Sequence, residues 1–136
     1  MDTCASNFDY SMNEIAITSL ADSFFSAIEN TDLAAMDIIY SPDAVVWHNH
    51  DNVAQPRAEN IAHIAALRDR FPKFKYCDIR RRFFEGGFTQ QHVLRGTTSD
   101  GFPFAIFACM IVEVRDGKIT RIDEYLDTAQ VPDLRP

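Results

Sequence analysis

The sequence predicts an α+β protein, and three observations carry that prediction. Between residues 13 and 71, one short strand-like stretch apart, the apolar residues recur at helical spacing. After Pro72 the period changes to that of strands, punctuated by the turn signals Glu85-Gly86-Gly87, Ser99-Asp100-Gly101 and Asp116-Gly117. Finally, Phe104 to Val112 is unbroken apolar sequence, rich in aromatic and β-branched residues. A strand without a polar face is covered on both sides. One cover is expected from the chain's own helices and the other from a second copy of the chain.

In order, Ser11 or Asn13 caps a first helix whose stripe is Ile17, Leu20, Ala21, Phe24 and Ile28. Asp32 caps a short second helix that turns Leu33, Met36 and Ile39 inward. Ser41-Pro42-Asp43 makes a turn, and A-V-V-W-H-N-H-D reads as a short strand. Residues 51–56 are expected as a loop. A third helix, Arg57 to Arg70, carries Ile61, Ile64, Leu67 and Phe71, and Pro72 ends it. Strands from Phe74 to Phe84 and from Phe88 to Thr98 follow, then the hairpin around Asp116-Gly117, where Gly accepts the positive φ such a turn demands. The resulting order is helix, helix, strand, helix and a four-strand meander. Residues 1–12 are expected as a loose arm, 13–127 as a single domain, and 128–136, with Pro132 and Pro136, as an unstructured tail.

The bulk properties narrow the function classes. A chain of 136 residues, 46% hydrophobic and 24% charged, is expected to form one globular domain. Its formal charge of −7 argues against nucleic acid and against an anionic membrane surface as partners. Cys4, Cys77 and Cys109 are widely spaced and odd in number, and the latter two sit in apolar strand patterns. They are read as reduced thiols and the compartment as cytoplasmic. The N-terminus has no basic start followed by an apolar core, so no signal peptide is expected, and no apolar run is long enough to span a bilayer.

The element order, with D-L-A-A near the second helix, P-D-A-V-V-W before the loop and V-R-D-G-K-I-T-R-I-D-E-Y-L-D at the end, resembles the nuclear transport factor 2-like superfamily. Within it the chain is most similar to the SnoaL-like and ketosteroid-isomerase-like members. The resemblance implies a cystatin-like cone: three N-terminal helices on a curved antiparallel sheet, mixed at its edge, with a deep apolar pocket for a flat hydrophobic molecule. It also implies a homodimer through the outer sheet face. The family spans isomerases, polyketide cyclases, dehydratases, epoxide hydrolases and non-catalytic binders. The expected function is cofactor-independent acid/base chemistry on a hydrophobic cyclic substrate, of isomerase, dehydratase or cyclase type. A non-catalytic binder and an epoxide-hydrolase-like activator of water stand as alternatives.

By the family pattern the strand after P-D-A delivers a general base near His48, where the isomerases have an aspartate. An imidazole titrates near neutrality and can move a proton either way. The plainer reading is a buried histidine bonded to backbone. The same alignment places Phe24 and Met110 where the isomerases carry oxyanion donors, and neither side chain can donate. Glu124 alternates with Ile122 and Leu126 on one side of the last strand, away from Asp123, Tyr125 and Asp127. It lies either in the pocket or on an exposed edge. Limonene-epoxide-hydrolase-like members use an aspartate at the corresponding place to activate water, within an Asp-Arg-Asp trio; Arg95 is followed by Thr97, not by an aspartate, at the matching spacing. If the last two turns are two-residue loops, His92 sits opposite Cys109 and Cys109 opposite Glu124, which brings His92 and Glu124 together as an acid/base pair.

Trp47, Tyr76, Phe83 and Phe104 serve as core or as pocket walls. Phe24, Trp47, Tyr76, Met110 and Ile122 are the candidate ligand contacts. His48 and His50 have the spacing to point one way from a strand near Asp51, but a third ligand of matching spacing is missing, so no metal and no cofactor is expected. His50 and Asp51 are expected at the pocket mouth or in solvent, and His63 in solvent. Among Arg80, Arg81 and Arg82, alternation turns at least one inward, where it can meet a substrate anion. An enzyme predicts His48 on a closed pocket, bonded to another polar side chain. A binder predicts His48 tied to backbone, and a hydrolase predicts Glu124 beside an arginine.

Overall fold

The computed structural model describes the backbone of residues 3–131 and the side chains of residues 13–131. Three α-helices, α1 (Thr3–Glu29), α2 (Leu33–Ile39) and α3 (Arg57–Arg70), pack with six strands: β1 (Tyr40–His48), β2 (Val53–Pro56), β3 (Lys73–Phe84), β4 (Gly87–Thr97), β5 (Pro103–Arg115) and β6 (Lys118–Leu126). The strands form a single mixed sheet in the order β2-β1-β6-β5-β4-β3. Only β1 and β6 run parallel; every other neighbouring pair is antiparallel.

The helical stripe of the sequence is the buried one. Ile17, Ala21, Phe24 and Ile28 of α1 meet Val46, Phe88, Met110, Val112, Ile119 and Ile122 of the sheet in one apolar cluster. Asp32 caps α2, its Oδ1 accepting from Ala35 N at 3.1 Å, and α2 buries Met36 and Ile39. The end of α1 is tied to the sheet by Glu29, whose Oε2 accepts from Tyr76 N at 2.8 Å. No helix among the described residues is long and apolar enough to cross a membrane.

Several expectations are corrected. Residues 53–56, read as loop, are the edge strand β2, hydrogen-bonded to β1. The Ser41-Pro42-Asp43 turn is an irregularity inside β1, which already begins at Tyr40. Thr3–Glu29 is one helix, so residues 3–12 continue α1 where a loose arm was expected; their side chains and residues 1–2 lie outside the described residues. The expected tail is ordered in part. Thr128–Gln130 form a 3-10 turn, Gln130 bonds both polar backbone groups of Phe107, and Val131 packs with Phe71, Phe104 and Ile106. Residues 132–136 lie outside the described residues.

Both hairpin registers also differ from a simple count, and for separate reasons. The β4–β5 loop is longer than two residues: Thr98 N donates to Phe102 O at 2.8 Å, and Thr97 pairs with Pro103. His92 therefore faces Ala108, and Cys109 faces Gln91. The β5–β6 turn is the expected two-residue one, with Asp116 at φ 53° and Gly117 at φ 75°, and Arg115 paired with Lys118. A bulge then absorbs Thr120, whose hydroxyl donates to Glu113 O, so Glu124 faces Met110 rather than Cys109. Each slip of one residue reverses a strand's facing. The two slips cancel, and His92 and Glu124 still point to the same side of the sheet.

The opposite side of the sheet stays bare in a single chain. Phe107 is 61% exposed, and Ile79, Ile111 and Tyr125 are also exposed, although the continuous apolar strand calls for a cover there. Cys77 and Cys109 are free thiols, partly buried.

Candidate active site

The parallel pairing of β1 with β6 builds the site. His48 and Glu124 are register partners across that pair, and partners in adjacent strands present their side chains to the same face. The result is a hydrogen-bonded pair, His48 Nε2 to Glu124 Oε1 at 2.9 Å, ionic when His48 is protonated, with side chains only 13% and 15% exposed. Burial by itself pushes the His48 imidazole down. The hydrogen bond and charge of Glu124, with Asp51 in the adjoining turn, outweigh it and leave His48 above its usual value. Water can screen such a pair only in part.

The pair lies on the wall of a partly open cavity of about 190 Å3, between α1, α3 and the sheet and lined mostly by apolar groups. Phe24, Ile28, Met110 and Ile122 form one side of the lining; Phe71, Ile106 and Val131, from the second apolar cluster, form another. A dry aliphatic cavity of ~150 Å3 is enough to hold benzene, so this volume suits a small ring compound.

Other polar groups reach the same space. Tyr40 is buried and its hydroxyl donates to Asn60 Oδ1 at 2.7 Å, while Asn60 Nδ2 donates to Gln55 Oε1 at 3.2 Å. Burial first, and the Glu124 carboxylate second, hold the Tyr40 phenol far above its usual value, and Tyr76 is raised by the same two influences. Both therefore remain neutral. His92 is buried against Tyr76 and Phe25, its ring meeting theirs edge to face at 4.8 and 6.0 Å. Burial keeps its pKa below the usual histidine value, the charge of Glu124 opposing only in part.

His48, His92 and Glu124 all line the cavity, as do the expected contacts Phe24, Tyr76, Met110 and Ile122. The pairing differs from the expected one: Glu124 bonds His48, and His92 bonds Gln90. Trp47 is a correction. Strand alternation turns it away from the cavity, against Tyr125 at 5.3 Å, with its indole N–H donating to Asn52 Oδ1. Of the three arginines Arg81 is the inward one, but it serves the α1–sheet junction, bonded to Asp22 and Gln90. No arginine or lysine lines the cavity among the described residues. His50 stands at the rim, 5.3 Å from His48 between ring centres, and Asp51 is used in its own turn, accepting from Val53 N. His63 is exposed, as expected, yet lines the cavity. Among the described residues no cluster of three or more His, Cys, Asp or Glu has metal-binding geometry.

Sequence reasoning missed Tyr40, Asn60 and Gln90. Tyr40 continues the 3/4 stripe of α2 and reads as core. Gln90 carried a usable signal: it lies two residues before His92 in a strand, so the two share a face.

Three helices on a six-stranded mixed sheet, enclosing an apolar cavity with a few polar groups, define an α+β pocket protein of the nuclear transport factor 2-like kind. Residues 21–122 match the SnoaL-like domain, and the chain belongs to that family. No curated protein matches it in sequence. Among solved structures it resembles a candidate polyketide cyclase from Xanthomonas campestris pv. campestris (20% identity, 87% of this chain and 98% of that one, TM-score 0.76). It is also similar to IdmH, a candidate polyketide cyclase from Streptomyces antibioticus (18%, 83% and 93%, TM-score 0.75). A third likeness is to an LEH-like epoxide hydrolase of M. tuberculosis (20%, 85% and 84%, TM-score 0.69). At these identities the likeness shows the fold alone.

Proposed function

We propose that this protein is a cofactor-independent acid/base enzyme acting on a small hydrophobic ring compound that carries a carbonyl group. The observation that supports it is the buried His48–Glu124 pair on the wall of an apolar cavity. A histidine tied only to backbone would favour a binding protein; this one is bonded to a carboxylate. The pair accepts a proton from the carbon next to the carbonyl: the C–H bond breaks, its electrons move into an enolate, and the pair holds the proton. Returning that proton to another carbon is isomerisation. Expelling a β-hydroxyl, protonated by the pair, is dehydration. Attack of the enolate on a second carbonyl forms a C–C bond, opens that carbonyl to an alkoxide that takes back the pair's proton, and is aldol cyclisation. The water-activating alternative is less favoured, because Glu124 has a histidine beside it and, among the described residues, no arginine lines the cavity.

The test is solvent-deuterium exchange at the α-carbon of a panel of small cyclic ketones, followed by proton NMR. Exchange above the buffer rate is expected for some members, with a loss of about 10²-fold or more in His48→Gln. Binding of panel members without exchange would return the protein to the non-catalytic reading. The bare sheet face, with Phe107, Ile111 and Tyr125, is proposed as a homodimer interface. Sedimentation should give a dimer that Phe107→Glu converts to monomer; a monomeric wild type would exclude it.

A further inference from the structure

We propose that Asp22, Arg81 and Gln90 are positioning residues that hold His92 as a neutral imidazole with its proton on Nε2, presented to the cavity as a hydrogen-bond donor. The argument starts at the arginine. Arg81 Nε–H donates to the side chain of Gln90 at 2.8 Å. A guanidinium has only hydrogens to offer, so the Gln90 atom it meets is the carbonyl oxygen. The amide nitrogen must then be the atom 3.0 Å from His92 Nδ1. That nitrogen also has only hydrogens to offer, so Nδ1 accepts and carries a lone pair. A neutral ring keeps its single proton on Nε2. Protonating Nδ1 would set one N–H against another, and burial of the ring opposes its charge in the same direction.

The chain of contacts is held at its far end. Arg81 Nη1 donates to Asp22 Oδ1 at 3.0 Å, across from β3 to α1. The guanidinium carbon lies over the rings of Phe25 and Phe88, at 5.9 and 5.6 Å, with the side chain 12% exposed. Arg81 thus cannot swing away to release the amide without leaving both rings. Gln90 is fully buried. The His92 ring is oriented by Tyr76 and Phe25. Its Nε2 has no partner among the described residues, and among them no fully buried side-chain nitrogen or oxygen lacks one. Nε2 is therefore not fully buried, and because the ring packs on Tyr76 and Phe25, on the cavity side of the sheet, we assign it to the cavity that His92 lines.

A donor fixed in this way suits the oxygen of a carbonyl that gains negative charge when the neighbouring carbon loses its proton. His92 is then the complement of the His48–Glu124 pair and not a second base. That use rests on the acid/base reading above; the tautomer does not.

The experiment is imidazole 15N–1H correlation NMR of the whole protein, with wild type and Gln90→Glu compared. In the wild type at neutral pH, His92 is expected as the Nε2–H tautomer. In Gln90→Glu one carboxylate oxygen still accepts from Arg81, and the other now faces Nδ1 and asks it to donate. Nδ1 should become protonated. A wild-type spectrum with the proton on Nδ1 overturns the proposal and needs no variant; an unchanged His92 in folded Gln90→Glu does the same. Where ketone exchange is measurable and the spectrum shows the proton moved from Nε2 to Nδ1 in Gln90→Glu, exchange should fall by about 10²-fold, the usual loss for one misplaced oxyanion donor. A flipped tautomer with full exchange would remove the donor role and leave the acid/base reading standing.

Discussion

Replacing Glu124 tests the central pair most directly. His48 Nε2 and Glu124 Oε1 are 2.9 Å apart, with side chains 13% and 15% exposed, so solvent does little to discount their interaction. Hydrogen bonds to charged groups contribute ~1.5–3 kcal/mol. A double-mutant cycle of His48→Gln, Glu124→Gln and the double variant, read by urea unfolding at pH 6, should give a coupling energy of about that size. The sign of its pH dependence follows from the direction of the shift. His48 is raised in the folded protein, so the stabilisation is complete below the usual histidine value and is lost as pH rises through the higher folded one. The difference in stability between wild type and Glu124→Gln should accordingly shrink from pH 6 to pH 9. NMR titration gives a second readout. Burial is the largest single influence on His48, and without Glu124 only Asp51 opposes it, so His48 should move from above its usual value to below it. A coupling under ~0.5 kcal/mol, a difference that grows with pH, or a His48 that stays raised in Glu124→Gln would each refute the reasoning.

Two other outcomes follow from the packing around the cavity. Tyr40→Phe leaves the Oδ1 of buried Asn60 without its donor and should cost about 1–3 kcal/mol in unfolding free energy; a change within experimental error would mean the site recruits another partner. Val131→Ala truncates a buried side chain that lines the cavity. It should cost roughly 1.5–2.5 kcal/mol and weaken binding of any small ring compound, whereas wild-type stability would show that the segment after β6 does not hold its place.

How much was legible can be judged residue by residue. The stripe Ile17, Ala21, Phe24 and Ile28 is buried as its spacing dictates, because a helix needs only one apolar face and the spacing shows which. Arg57–Arg70 is the third helix within its sequence-read bounds, since Pro72 and the period change fix its end. The alternation of Ile122, Glu124 and Leu126 assigned the last strand's inner face correctly. Trp47 failed because adjacent residues of a strand face opposite sides, so it could not line the cavity together with His48. The β4–β5 register failed because a loop's length in residues is not written in its turn residues. The resemblance to SnoaL-like proteins could be read from the end motif and the element order, and residues 21–122 bear it out.

The sequence by itself settled the three helices in outline and the long strands, though not β2 or the start of α1, and it settled which faces are apolar and that His48, His92 and Glu124 were the groups to watch. Those are local properties: periodicity, turn chemistry and the scarcity of titratable groups among apolar neighbours. Only the tertiary structure decided the partnerships. His48 meets Glu124 through a parallel pairing of the first long strand with the last, and His92 meets Gln90 within reach of an arginine from β3 and an aspartate from α1. Contacts between residues so far apart in the chain depend on where whole strands come to lie beside one another, and strand order and loop bulges set that in three dimensions.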